Sequence, residues 1–208
     1  HGRRKATRLI ILDIVPRAAT SGYYGDMTRT VIRGKASDAQ RRLWETVNAG
    51  QALALKKMKP GVDGLKLHLE IKQFFADQGY PTEIRDGRQT GFFQGTGHGL
   101  GLEIHEFPRF QKTTFKVGQV LTVEPGCYIR PADNVPEGFW DIGVRIEDDV
   151  LVTAGGNENL TGSTPKSVAD VDAAGARERP PGPPPMLHHP GHVAAGAGSS
   201  SERHGSPE

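Results

Sequence analysis

Short apolar runs and stretches with helical spacing alternate along the chain, and the first apolar run has a charge inside it. Ile10, Ile11, Leu12, Ile14 and Val15 flank Asp13, and residues 8–15 are expected to form a buried strand. A Pro-Arg-Ala-Ala-Thr-Ser-Gly loop leads to a partner strand over 22–33 that carries Asp26, and Gly34 and Lys35 then turn the chain. Ser37 is placed to cap a helix in which Leu43, Val47, Leu53 or Ala54, and Met58 recur at helical spacing, and Lys59-Pro60-Gly61 stops it. A second helix follows from about Val62 to Gln78, with Leu67, Ile71 and Phe74 or Phe75 inward and Gly79 as its C-terminal cap. Residues 80–90 read as a polar connection. A stretch dense in glycine and histidine covers 91–107, QVLTVEPGCYI then reads as a strand stopped at Pro125, and residues 143–153 read as the next strand.

The character changes near Thr164. Pro180 to Pro185 reads PPGPPP, and the rest of the chain has almost no large apolar side chains. Such a composition cannot bury enough surface to offset its ordering entropy, so 1–164 is expected to be one folded domain and 165–208 a disordered tail. The tail histidines His188, His189, His192 and His204 are read as solvated. The chain has 208 residues, enough for one sizeable core. Its 26 Lys plus Arg against 24 Asp plus Glu leave +2, without a basic block, which argues against a nucleic-acid or membrane-surface protein. Cys127 is the sole cysteine, so no intrachain disulfide can form, which is compatible with a cytoplasmic setting. No apolar run approaches the roughly 20 residues a membrane helix needs. No signal peptide is visible, but the start at His1, directly before a strand, leads us to expect that the natural N-terminus is missing.

Chemistry concentrates on the strands. An ionised carboxylate within an apolar run is costly to bury without compensation. If the first two strands pair antiparallel, Asp13 and Asp26 point into one space, and a bound dication is a common remedy for their repulsion. A second pair of acids, Glu124 and Glu147, lies on the later strands, a weak hint of internal duplication. With His98 these make five potential ligands, a hard, oxygen-rich set that suits Mn²⁺, Co²⁺, Fe²⁺ or Zn²⁺ better than a thiolate site would. Two dications balance four negative charges, and two-metal hydrolases hold their ions about 3.5–4 Å apart. Taken singly, each residue has an ordinary alternative. Asp13 could accept backbone hydrogen bonds, Asp26 could pair with Arg29, His98 could sit in a turn, and Glu124 and Glu147 could be solvated acids.

In this order, LDIVPRAATSGYYGDMTRT, GTGHGLGLEIHE, TVEPGCY and GVRIED resemble the pita-bread metallopeptidase family, which includes methionine aminopeptidase, aminopeptidase P and prolidase. The resemblance covers about residues 8–160. It implies an α+β fold, a curved antiparallel sheet with flanking helices, lacking here its N-terminal portion. It implies that Asp13 binds one ion, that Asp26 and Glu147 bridge, and that His98 and Glu124 bind the other. It further implies that a bridging water attacks the scissile carbonyl with Glu124 as general base. Mn²⁺ heads the candidate ions, ahead of Co²⁺, Zn²⁺ or Fe²⁺. His105, seven residues after His98, matches the family histidine that contacts substrate and stabilises the tetrahedral intermediate. Arg145 shares a strand face with Glu147, where it could orient that carboxylate, contact substrate or form a plain surface salt bridge.

The forms at Gly143–Asp148 and Glu124–Tyr128 look like aminopeptidase P and prolidase, and imply cleavage of the bond before proline. Gln94 stands where aminopeptidase P often carries a further histidine, and only His1 is available as a histidine upstream of Asp13. The implied partner is a peptide substrate, with no nucleic acid and no membrane; a homodimer is compatible with the sequence. Two other readings are a creatinase-like hydrolase of non-peptide C–N bonds and a non-catalytic pita-bread binding module. The complete ligand set counts against both.

Overall fold

The computed structural model describes residues 9–32, 34–131 and 136–166. Of the tail expected over 165–208, Pro165 and Lys166 are described and bonded to the domain: the Pro165 carbonyl accepts from Arg29 Nε at 3.1 Å and Lys166 Nζ lies 2.8 Å from Asp148 Oδ2. The remainder with its four histidines, and His1, lie outside the described residues. The order of elements is β1 (Ile10–Ile14), β2 (Met27–Val31), α1 (Asp38–Lys57), α2 (Gly64–Asp77), β3 (Glu83–Arg85), β4 (Arg88–Thr90), β5 (His98–Gly99), β6 (Glu106–Arg109), β7 (Val120–Val123), β8 (Gly126–Tyr128), β9 (Gly143–Arg145), β10 (Asp148–Thr153) and β11 (Gly156–Asn159).

Local chemistry accounts for both helices. Ser37 and Gln40 form a reciprocal capping box at the start of α1, and Asp63 accepts from the amides of Leu65 and Lys66 at the start of α2. Gly79 follows α2 at a φ of 90°, which glycine adopts without strain. The two helices press Leu43, Val47, Ala54, Leu67, Ile71 and Phe75 into one apolar core. From the sheet side the core receives Leu121, Val123, Val150 and Val152, with Phe92, Phe110 and Phe115 from the connections. The main sheet has the order β11-β10-β7-β5-β6, and all its pairs are antiparallel. No described helix is long and apolar enough to cross a membrane.

Three expectations are corrected. Residues 80–90 are not a plain connection: β3 and β4 pair as a hairpin around Asp86 and Gly87, at φ values of 48° and 72°. Two successive positive φ angles are the mark of a tight hairpin turn. No apolar alternation announces this hairpin, whose Ile84 is 73% exposed. The strand around Asp13 is not buried either. It pairs only with β2 among the described residues, and Ile14 and Val15 remain exposed.

The third correction concerns the segment 143–153, which is two strands rather than one. It breaks at Ile146-Glu147, opposite the break at Glu124-Pro125. Val123 pairs with Asp148 on one side of the gap and Gly126 with Arg145 on the other. One register therefore runs through both halves, and Glu124 stands across from Glu147 at the missing rungs. Pro125 has no N–H to donate there.

Candidate metal centre

β1 and β2 bring the first two acids together. Asp13 lies opposite Thr28, and Asp26 is two residues before Thr28, on the same strand face. β2 also runs beside β9. The Thr30 hydroxyl donates to the Arg145 carbonyl at 2.8 Å and accepts from the Arg145 amide at 3.0 Å. The Thr28 hydroxyl joins the two ribbons, donating to Glu147 Oε2 at 2.6 Å, with Asp13 Oδ1 at 3.5 Å.

His98 reaches the same place through a close backbone approach. A Cβ on Gly97 would lie 1.9 Å from the Thr122 carbonyl oxygen, so only glycine fits there. The His98 amide donates to Thr122 Oγ1 at 3.1 Å, and Nδ1 lies 3.0 Å from the Gly99 carbonyl. A carbonyl only accepts, which assigns the proton to Nδ1 and leaves the Nε2 lone pair facing the acids. Nε2 is 3.7 Å from Asp26 Oδ2 and 3.4 Å from Glu124 Oε1.

At the opened rungs every main-chain group of the two glutamates has an outside partner. The Glu124 amide donates to the Thr96 carbonyl at 2.7 Å, and the Glu124 carbonyl accepts from Gln94 Nε2 at 2.7 Å. The Glu147 amide donates to the Thr28 carbonyl at 3.1 Å, and the Glu147 carbonyl accepts from Arg29 Nη1 at 2.5 Å. The ribbon is thus parted without orphaning its backbone.

The side chains are less well compensated. Asp26, His98 and Glu147 are buried and offer ligand atoms within 4.8 Å of one another. Asp26 Oδ1 is buried with no hydrogen-bond partner among the described residues. Burial, then the nearby Asp13 carboxylate, pushes the Asp26 carboxyl up to about 6. Burial raises Glu124 to about 7, with Asp26 adding to the shift. Glu147 rises to about 9 through burial and then the charge of Glu124. Burial lowers the His98 imidazole, which favours its neutral, ligating form. Three acids disfavoured as anions, a neutral imidazole and an orphaned carboxylate oxygen fit a divalent cation, whose charge would reverse each of those penalties.

Of the residues singled out in the sequence, Asp26, His98 and Glu147 converge, and Glu124 joins them through His98. Asp13 lies at the rim, its side chain 49% exposed and bound by Arg145 Nη2 at 2.5 Å. Arg145 Nε also donates to Thr28 Oγ1 at 3.1 Å. The arginine therefore hydrogen-bonds Asp13 directly and touches Glu147 through Thr28, while its charge also works against the upward shift of the Glu147 carboxyl. His105 is exposed and packs edge-on against His98, with ring centroids 4.5 Å apart. A cavity of about 470 Å³ opens against His98, His105 and Glu124, with Arg109 and Lys112 on its wall.

Sequence reasoning missed Thr28, which donates to Glu147 and Asp13, and Thr122, which accepts from the His98 amide and donates to Glu124 Oε1 at 3.3 Å, so that the two hold four of the candidate ligands. Thr28 could have been found by its place two residues after Asp26, on the same strand face. It also missed the use of Gln94, which accepts from the Tyr128 hydroxyl at 2.7 Å while donating to the Glu124 carbonyl.

Comparison with known proteins agrees with this architecture. Residues 2–154 match the profile of Metallopeptidase family M24. The chain is 35% identical over 166 residues to Xaa-Pro aminopeptidase of Escherichia coli (strain K12), covering 73% of this chain and 38% of that protein. It is 35% identical over 156 residues to Xaa-Pro dipeptidase of Pyrococcus furiosus, covering 74% and 39%. Among solved structures, a variant of Escherichia coli aminopeptidase P matches with a TM-score of 0.72 at 33% identity, covering 82% of this chain and 42% of that one. Prolidase from Pyrococcus furiosus matches with a TM-score of 0.60 at 36% identity, covering 74% and 41%. The chain spans about two-fifths of the length of these relatives. The described helices and antiparallel sheets are those of the pita-bread fold of these structures, and the chain belongs to Metallopeptidase family M24.

Proposed function

We propose that this chain carries the catalytic centre of a metal-dependent aminopeptidase that removes an N-terminal residue preceding proline. Residues 1–164 form the catalytic unit, and Asp13, Asp26, His98, Glu124 and Glu147 hold the ions. The observation that carries this reading is the buried group of Asp26, Glu147 and His98, in which Asp26 Oδ1 has no partner among the described residues. Two divalent ions bound there, Mn²⁺ foremost, would act as Lewis acids and lower the pKa of a bound water.

The chain's own residues supply the rest. Glu124 borders the cavity and takes a proton as general base, returning it to the leaving amine. His105, exposed at the cavity edge, donates a hydrogen bond to the oxygen of the scissile carbonyl as charge develops on it. Arg145, paired with Asp13, holds that carboxylate at the rim of the centre. The named activities of the relatives, Xaa-Pro aminopeptidase and Xaa-Pro dipeptidase, support a peptide bond next to proline as the target.

The test is a metal titration and a substrate panel on the same preparation. Bound divalent ions, with Xaa-Pro peptides cleaved in preference to Met-Xaa peptides and non-peptide amides, are the expected result. Protein that takes up no ion after incubation with Mn²⁺ overturns the reading. In the active protein, His105→Asn is expected to lower kcat by about 10²–10⁴-fold while leaving metal content unchanged.

A further inference from the structure

The parted ribbon has two more carbonyls at its gap, and one helix side chain serves both. Gln51 on α1 is fully buried. Its Nε2 donates to the Val123 carbonyl at 3.0 Å and the Ile146 carbonyl at 3.3 Å. Val123 and Ile146 immediately precede Glu124 and Glu147. Its Oε1 accepts from Lys166 Nζ at 3.0 Å. The same ammonium lies 2.8 Å from Asp148 Oδ2, directly after Glu147. Arg29 closes the far side, reaching Asp148 Oδ1 at 2.8 Å and donating to the Glu147 carbonyl.

A primary amide suits this position because it offers two N–H donors and an acceptor on one short planar group. No hydrocarbon of the same size could bridge two carbonyls and also fix an ammonium. Lys166 lies beyond the 2–154 segment that matches the family, yet contacts the residue next to a candidate ligand.

We propose that Gln51 and Lys166 are positioning residues: together they clamp the parted ribbon and set the separation and direction of the Glu124 and Glu147 carboxylates. This rests on the reading of those carboxylates as metal ligands. Gln51 bridges the two strands at the residues from which the glutamates project. Lys166 locks the bridging amide and the neighbour of Glu147 in one contact. Loss of either lets the ribbon relax, and the two carboxylates lose their common geometry.

The experiment uses the full chain, with Co²⁺ as probe because its visible spectrum reports ligand geometry. Gln51→Met and Lys166→Met are expected to bind Co²⁺ about tenfold or more weakly with an altered spectrum, while Lys166→Arg stays within about threefold of the parent. Leu67→Ala, a core change remote from the site, lowers Tm but leaves the spectrum and affinity in place. In metal-free protein, Gln51→Met also speeds hydrogen exchange at the Glu124 and Glu147 amides. A parental spectrum and affinity in both Gln51→Met and Lys166→Met overturn the proposal. If Gln51→Met does not fold, the partly exposed Lys166 carries the test alone. If the parent chain binds no Co²⁺, the metal reading falls, and exchange at those two amides decides the clamp by itself: faster exchange upholds it and unchanged exchange refutes it.

Discussion

Glu147 and Asp148 are adjacent, both buried, and treated in opposite ways. Asp148 is fully buried, yet Lys166 and Arg29 each contact it at 2.8 Å, and Thr161 and Asn159 add hydrogen bonds. Burial alone would raise its carboxyl, but the hydrogen bond and charge of Lys166, with Arg29, outweigh burial and hold it below the usual carboxylate range. Among the described residues only the Thr28 hydroxyl hydrogen-bonds the Glu147 carboxylate, and burial pushes that carboxyl up to about 9. Asp26, its neighbour in the cluster, keeps an oxygen with no partner among the described residues. The comparison separates two solutions to one problem. Asp148 is neutralised from within and holds structure together. Among the described residues no cation pairs with the Asp26 or Glu147 carboxylate, and the charge of Arg145, which pairs with Asp13, does not offset their burial; that is the condition under which a metal site gains most from its ion.

Removing the metal-facing acids breaks the contrast most severely. Asp26→Ala or Glu147→Ala is expected to abolish hydrolysis and to erase the rise in Tm that a divalent ion gives. The metal-free protein keeps its Tm or gains, because a buried carboxyl whose ionised form is disfavoured there is gone. Retained turnover with either variant, followed by peptide hydrolysis, would contradict the assignment. The same change next door acts in reverse. Asp148→Ala strands Arg29 and Lys166 and is expected to cost about 3–5 kcal/mol in denaturant unfolding, whether or not metal is present. A loss well under 1 kcal/mol would show that Asp148 is not the internal counterpart described above.

The smallest effect is the pH dependence of the metal-free protein. Asp26, Glu124 and Glu147 have folded-state values near 6, 7 and 9, above those of the unfolded chain. Their protonated forms favour folding, so each begins to destabilise as pH rises past its unfolded value and does so increasingly up to its folded value. Tm of metal-free protein should therefore fall between pH 5 and pH 9. The increment from added Mn²⁺ should grow over the same window, as protons cease to compete. Asp148 has the opposite sign: its contribution is present above its unfolded value and is lost only as pH falls through the lower folded one, so it stays constant across this range. A metal-free Tm that is flat or rising would remove the electrostatic half of the contrast.

Much of this was legible along the chain. The capping residue Ser37, the helical spacing of Leu43, Val47, Leu67 and Ile71, and Gly79 after α2 are local signals, read over a turn or two of helix; the cap at Asp63 is as local but went unread, the second helix being started at Val62. The hairpin at 83–90 escaped because its residues form a ladder without an apolar face. The exposure of β1 escaped because an apolar run cannot say how many strands will cover it. Gln51 gave no signal at all. It reads as one polar residue in an amphipathic helix, and its partners lie 72, 95 and 115 residues away.

By itself the sequence determined the helices, the acid-bearing strands and the motif order that resembles the pita-bread peptidases, because spacing and residue type act within a few residues of one another. Only the tertiary structure decided that the long ribbon parts at Glu124 and Glu147, and that Asp148 receives cations while Glu147 does not. It also decided that Arg145 serves Asp13. Those outcomes depend on which distant groups meet, and a buried charge is stabilised or penalised by its neighbours in space, whatever their distance along the chain.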